Sequence, residues 1–524
     1  MRPRALIIGV LVCYSALAIA AALTYSPRAD EGFFASPGLN LATKGFMGTT
    51  VLEGSHEFLK DIHRYTYWIT PLHFLAQAAW YKLAGFSLFR MRMLSLIFGL
   101  LALAAWYCIA SRLSGNRAMA ALTVAIAALD FNFIVGGSSG RMDMMAAALD
   151  FSGIAAYLSL RERSLPAAVF SGNALAAAAG LTHPVAGYLA FLAQVFLLLY
   201  FDRGRLNLRL LALAAAPYLA GGAAWGVYIL KDPAAFAVQF ATNAAMSGRL
   251  DGLHAPWRGI WRELSVRYAA GYGLLGHSEC VSGPSFLKSS MLLLYGAGIL
   301  GALTIRDVRR HKGCRVLMFL AGIFFLALSV LDSQKAYYYL PHTTPFYAAL
   351  TSACSLSLMR EGRRPFRITA AALAGVLLVQ TGGLAYRAWQ NPYARVYRPA
   401  MAFLSTCAGP ADTVFGSASA GFGFGFEKGL VDDLRLGYLT GRKADFVVLD
   451  QEYRSAIRDY AASDPKLYAF IERRIATEYV PVYQMDDYTI LVSRDRLPHQ
   501  PRRMTAAPSP SPHAPSVANP EQIR

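Results

Sequence analysis

Cysteine, acidic residues and charge in general are scarce in this 524-residue chain. Its six cysteines include no C-x-x-C pair, and no histidine and cysteine cluster has metal-ligand spacing, so they point to no metal centre. Charged residues make up only 16% of the chain, with 32 acidic against 50 basic. Together with 55% hydrophobic residues and a mean hydropathy of +0.35, this excludes an ordinary soluble protein, and the length excludes a single domain. The glycine-rich stretch Gly421-Phe-Gly423-Phe-Gly425 lacks nucleotide-loop spacing, because Phe426 or Lys428 stands where a further glycine is needed. It reads as a flexible surface loop.

What the chain has in plenty is long apolar runs. Candidate spans lie at about 5–25, 94–111, 118–136, 144–160, 166–182, 186–201, 210–230, 289–305, 316–331, 344–359 and 368–388, about eleven in all. The first is long enough to be retained as a helix rather than cleaved as a secretory signal. Cys13, Cys108 and Cys354 fall in spans and Cys314 in an inner loop, which leaves Cys280 and Cys407 as the two cysteines open to oxidation.

One apolar segment, Tyr65 to Phe86, is excluded from the count on grounds of charge. Laid along the outer surface, it puts into inner loops Arg2 and Arg4, Arg112 and Arg117, Arg161 and Arg163, Arg203, Arg205 and Arg209, the 306–315 cluster and the 360–367 cluster. These are 18 basic residues against four acidic ones, most of the net charge of +18 on one face. The positive-inside rule therefore sets the orientation, with the N-terminus cytoplasmic, and removes the need for a nucleic-acid partner. Tyr65, Tyr67, Trp68, Trp80 and Tyr81, beside Arg64 and Lys82, then read as an interfacial helix with rings at headgroup level.

On this topology the unusual polar residues gather outside. Asp30-Glu31 follows the first helix, where two adjacent carboxylates at a bilayer surface call for a cation or a substrate. Gly136-Gly137-Ser138-Ser139-Gly140-Arg141-Met142-Asp143 ends a span with small residues that let a ligand approach the backbone. The segment from Asp332 to His342 brings Lys335 with Tyr337, Tyr338 and Tyr339. Their plainer readings are a solvated helix end, an Arg-Asp cap and an aromatic belt. Past residue 390 the character changes: Thr413–Phe415, Asp445–Asp450, Glu478–Val482 and Tyr488–Val492 read as strands, and Glu452–Ile475 as a helix. The expected organisation is a transmembrane domain over 1–390, with outer loops 26–93 and 231–288, an extracytoplasmic α/β domain over 391–497, and a disordered tail over 498–524.

These stretches resemble a known family in content and order. Asp30-Glu31, Tyr67-Trp68-Ile69-Thr70-Pro71-Leu72, Leu83 to Arg92, Arg141-Met142-Asp143, Gly180-Leu-Thr-His183-Pro184, Glu263-Leu-Ser-Val-Arg267-Tyr268 and Lys335 to Pro345 are similar to the C-type membrane glycosyltransferases. The likeness is to the protein O-mannosyltransferase and aminoarabinose transferase group, family 39. Where relatives carry Lys-Pro-Pro near the start of the surface helix, this chain has Ile69-Thr70-Pro71. The resemblance implies a helical polytopic protein of the bacterial inner membrane that transfers sugar from a polyprenyl-phosphate donor to a protein, lipid or glycan acceptor outside the cytoplasm.

A phosphate leaves as a stable anion, so such a site needs one base and cations for the phosphate, unlike the two-carboxylate arrangement of glycoside hydrolysis. The expected assignments are Asp30 as base, with Glu31 orienting it or binding acceptor. Lys335, Tyr338, Tyr339, Arg267 and Arg64 would bind the donor, and Arg141 and Asp143 would be supporting or acceptor-binding groups. His183 reads more as a structural contact than as a catalyst. No cofactor is certain, and a divalent metal between Asp30 and Asp143 stays open. A lipid or sugar transporter would instead place charge near the membrane midplane, and a non-catalytic envelope assembly subunit would need no base at Asp30.

Overall fold

The computed structural model describes residues 3–54, 59–242, 251–275 and 286–497. Arg2, Cys280 and the 498–524 tail lie outside the described residues. All eleven apolar segments are helical. Helix α1 (Pro3–Thr24) leads into α2 (Ala29–Lys44) and α3 (Leu72–Ala84). There follow α4 (Leu88–Ser114), α5 (Arg117–Ala128), α6 (Phe131–Gly137), α7 (Asp143–Leu160), α8 (Leu165–Thr182), α9 (Pro184–Asp202) and α10 (Leu208–Ile229). Helices Phe286–Thr304, Lys312–Leu331, Leu340–Arg360 and Arg363–Gln390 complete the set.

By length and composition seven helices among the described residues can cross a membrane, or eight if α5 and α6 form one span bent by 73°. The bend has a local cause. Asp130 between them accepts from the Asn132 and Phe133 N–H groups at 2.7 and 3.3 Å, and its other oxygen from the Tyr272 and Tyr295 hydroxyls at 2.7 and 2.8 Å. A carboxylate satisfied in this way caps a new helix instead of continuing the old one.

Two helices illustrate how polarity follows position. In α10 only Leu210 is buried, while Leu219 and Val227 are 71% and 67% exposed, an arrangement that suits lipid rather than water. Leu340–Arg360 is the reverse: every residue from Leu340 to Ser352 is buried. Enclosed by protein, it carries His342, Thr343 and Thr344 without meeting lipid.

With 13 residues, α3 is about 20 Å long, shorter than the roughly 30 Å hydrocarbon core. Its aromatic flank departs from the sequence expectation. Tyr67 and Tyr81 are buried in protein, and the Tyr67 ring packs 5.0 Å from Tyr228 while its hydroxyl donates to the Tyr228 carbonyl at 3.1 Å.

Beyond helix Arg398–Cys407 lies a five-stranded sheet in the order β2-β1-β3-β5-β4. Its strands are β1 (Val414–Phe415), β2 (Leu430–Val431), β3 (Phe446–Leu449), β4 (Tyr479–Met485) and β5 (Tyr488–Ser493). β1 runs parallel to β2 and β3, and β5 antiparallel to β3 and β4. The expected single helix is two, Gln451–Ser463 and Pro465–Glu478, because Asp464 caps the second by accepting from the Leu467 N–H at 3.1 Å and Pro465 fits its first turn. The glycine-rich stretch is no flexible loop: Gly421–Phe424 is a helical turn, and Phe422 stacks on Phe86 at 6.0 Å.

This domain rests on α2. Residues Leu52 and Asp432 form a parallel bridge, Arg442 pairs with Glu53 at 3.3 Å, and the Ala418 carbonyl leaves no room for a Cβ at Gly32. The start of α2 is thereby fixed from both the membrane side and the sheet side.

Candidate active site

At the start of α2 two carboxylates part company. Successive helical residues point about 100° apart, so Asp30 and Glu31 cannot share a partner. Glu31 turns inward and is 2% exposed. It accepts from Arg92 at 2.8 and 2.6 Å, from the Gly140 N–H at 2.7 Å and from the Arg28 N–H at 3.2 Å. Burial pushes its carboxyl up, but Arg92 and the backbone donors outweigh that and hold it below the ordinary glutamate range. Arg92 also donates to the Ala22 and Tyr25 carbonyls at 2.9 and 2.8 Å, locking α4 to the end of α1.

Asp30 turns the other way and keeps 36% of its side chain exposed. Its partner is the Arg141 Nη1, and the same guanidinium reaches Asp143 through Nε at 2.8 Å. Burial opposes charge on Arg141, yet Asp143 and Asp30 hold its pKa above the ordinary arginine value. The Arg141 guanidinium lies 3.5 Å over the Tyr338 ring and 5.3 Å over that of Phe34. Thus the three outer segments singled out in the sequence meet at Asp30, Arg141 and Tyr338.

Around them are buried polar atoms without hydrogen-bond partners among the described residues: Asp143 Oδ1 and both ring nitrogens of His73. Burial brings the His73 pKa down to about 4. His183 caps α9, taking the Val185 N–H on Nδ1 at 3.2 Å and meeting the Tyr339 hydroxyl through Nε2 at 3.0 Å. It braces the tyrosine segment, as a structural residue would.

The structure does not bring Lys335 and Arg267 to this face. Arg267 pairs with Glu263 at 3.2 Å and with Asp332, while Lys335 pairs with Glu263 at 3.2 Å and donates to the Ser329 carbonyl at 2.7 Å. All four side chains are essentially buried, and two positive and two negative groups close on one another. Burial lowers the Lys335 pKa and raises that of Glu263, in both cases against the charged form. In this arrangement both cations are paired with Glu263 or Asp332, and the Arg267 guanidinium lies 5.3 Å over the Tyr339 ring. Removing one member of a buried pair costs about 3–5 kcal/mol, so Lys335→Ala is expected to lower thermal stability while leaving lipid-phosphate affinity within about twofold. Thermal unfolding and ligand titration on the same sample check this.

Arg64 is exposed and lies 5.9 Å over the Tyr65 ring. Tyr65, Leu41, Leu75, Leu181, Trp225 and Tyr228 line a cavity of about 270 Å³, with Lys231 among its walls. Three functional candidates were missed from sequence. Arg28 donates to the Tyr337 and Tyr338 hydroxyls, and Arg92 anchors Glu31. Glu452, from the sheet domain, accepts from the Ala29 N–H at 3.4 Å. Although its side chain is exposed, surrounding protein, Asp450 and Asp30 push the Glu452 pKa up. Arg92 ends a quoted stretch and Arg28 lies two residues before Asp30, whereas nothing local marks Glu452.

Among the described residues no group of three or more His, Cys, Asp or Glu is placed to hold a metal. The place considered for a divalent ion, between Asp30 and Asp143, is bridged by the Arg141 guanidinium, so these residues do not fit a metal there in this arrangement.

No protein-family model and no curated protein matches the chain. Solved structures do. ArnT from Cupriavidus metallidurans bound to undecaprenyl phosphate superposes with a TM-score of 0.60 at 16% identity, over 93% of this chain and 97% of that one. The archaeal oligosaccharyltransferase AglB from Archaeoglobus fulgidus, in complex with an inhibitory peptide and a dolichol-phosphate, gives 0.52 at 13% identity over 90% and 69%. The oligosaccharyltransferase of Archaeoglobus fulgidus in complex with Zn and sulfate gives 0.51 at 14% over 90% and 67%. At such identities the likeness is one of fold. The chain is a multi-pass helical membrane protein of the GT-C glycosyltransferase fold with a small C-terminal sheet.

Proposed function

We propose that this protein is a membrane glycosyltransferase that moves a sugar from a polyprenyl-phosphate donor to an acceptor hydroxyl on the extracytoplasmic face. The observation that carries the reading is the partly exposed Asp30 carboxylate held against Arg141 and the Tyr338 ring, where three polar outer segments converge. The fold is shared with structures bound to undecaprenyl phosphate and to dolichol-phosphate.

In this reading Asp30 takes the acceptor's proton, the acceptor oxygen bonds to the anomeric carbon, and the bond from that carbon to the phosphate oxygen breaks. Its electron pair leaves with the polyprenyl phosphate, so negative charge grows beside Arg141. Glu31, saturated by Arg92 and Gly140, is a positioning group that fixes the first turn of α2. The apolar cavity lined by Leu75, Leu181 and Trp225 offers walls suited to an isoprenoid segment.

The orientation is part of the proposal. Cysteine substitutions at the exposed Arg442 and Lys428 are expected to react with a membrane-impermeant thiol reagent in intact spheroplasts, and those at Arg310 and Arg363 only after permeabilisation. Labelling at 310 without labelling at either sheet-domain position would invert the topology. The activity itself is tested by incubating reconstituted protein with total lipid-linked sugars and the envelope fraction, as source of acceptor, from the same cells. Release of free polyprenyl phosphate supports the reading, and none with a correctly folded protein removes it.

A further inference from the structure

We infer that Arg28, with Arg141, holds the donor's phosphate against the paired rings of Tyr337 and Tyr338, in place of the buried Lys335 and Arg267. This rests on the glycosyltransferase reading and names the cations that such a site requires.

Arg28 is the residue before α2, with extended backbone at φ −109° and ψ 159°. Its Nη1 donates to the hydroxyls of Tyr337 and Tyr338, the latter at 3.2 Å, and its guanidinium lies 5.7 Å over the Tyr337 ring. The Arg141 guanidinium lies 3.5 Å over the neighbouring ring, that of Tyr338. The two rings are themselves 4.0 Å apart. Two guanidinium groups thus converge on one aromatic pair beside the exposed carboxylate. Asp30 and Asp143 both pair with Arg141, and an anion set between the two guanidinium groups would bond to both of them.

A phosphate is such an anion. Arginine presents a planar fork that binds phosphate oxygens through two parallel bonds, and tyrosine hydroxyls can turn to donate. Unlike Arg267 and Lys335, whose side chains have 0% exposure, Arg28 is half-buried and reachable. The placement also links binding to chemistry. Arg141, paired with Asp30 and Asp143, would set the phosphate beside the carboxylate that takes the acceptor's proton. Proton transfer to Asp30 and departure of the phosphate then balance: a proton moves from acceptor to carboxylate, and the electron pair of the broken bond stays on a phosphate held by Arg28.

The test uses the full-length protein in nanodiscs, titrated with undecaprenyl phosphate and, separately, with undecaprenol, which lacks the phosphate. The wild type is expected to prefer the phosphate by at least about tenfold. Arg28→Gln should lose most of that preference with unchanged thermal stability, and Arg28→Lys should retain part of it. An Arg28→Gln protein that is folded and keeps the wild-type preference overturns the inference alone. If Arg28→Gln does not fold, Arg28→Lys decides, because full preference there shows that the planar fork is not used. A wild type that does not distinguish the two lipids overturns both the inference and the glycosyltransferase reading.

Discussion

Asp30→Asn is expected to reduce turnover by about 10²–10⁴-fold while leaving affinity for the lipid phosphate equal or tighter. An alcohol is a weak nucleophile, and the amide keeps the shape of the carboxylate but cannot take the proton. Donor binding survives because Arg141 keeps its pair with Asp143, while Asp30 no longer competes with the phosphate for it. The two effects move in opposite directions, which a merely misfolded variant would not produce. Asp30→Glu retains the base but displaces it by one methylene, so partial activity is expected. Turnover under single-turnover conditions, measured beside an independent titration of lipid phosphate, separates the outcomes. Wild-type turnover in Asp30→Asn would move the base elsewhere, and Glu452, next to the same helix start, would be the first residue to test.

The second large effect is expected at Arg92. Arg92→Met strands the buried Glu31 carboxylate and releases the Ala22 and Tyr25 carbonyls at the end of α1. Breaking such a pair from one side costs about 3–5 kcal/mol, more than most single substitutions. The loss should appear as a lower unfolding temperature together with lost activity, since the turn that aims Asp30 depends on it. Glu31→Gln keeps the shape and leaves Arg92 buried but still bonded to the Ala22 and Tyr25 carbonyls, so it should cost less. The double variant Arg92→Met with Glu31→Gln should be more stable than Arg92→Met alone, giving a coupling energy between the two. Strict additivity would mean that the pair does not hold the helix start.

Much of this was legible in the chain. The apolar runs located every long helix, and charge bookkeeping kept Tyr65 to Phe86 out of the spans, where the structure has a 13-residue helix. Arg141 and Asp143 were singled out by small neighbours that permit close approach, and Arg141 pairs with both Asp143 and Asp30.

What failed were inferences from a residue's type without its partners. Lys335 looked like a cation awaiting phosphate, but Glu263, 72 positions earlier, takes its charge, and no local pattern marks such a pair. Glu31 was expected to orient Asp30 or bind acceptor, but about 100° of helical rotation turns it inward to Arg92. The break at Asp464-Pro465 was written in the sequence and overlooked. Glu452 could be found only from the docking of the sheet domain on α2.

The most direct test of the central claim is mass spectrometry of lipid-linked sugars and envelope glycans from cells with the protein, without it, and with Asp30→Asn in its place. The account predicts that one polyprenyl-phosphate sugar accumulates both without the protein and in the Asp30→Asn cells, with loss of the same sugar from one envelope acceptor. Unchanged lipid-linked pools and glycans in cells lacking the protein would contradict it.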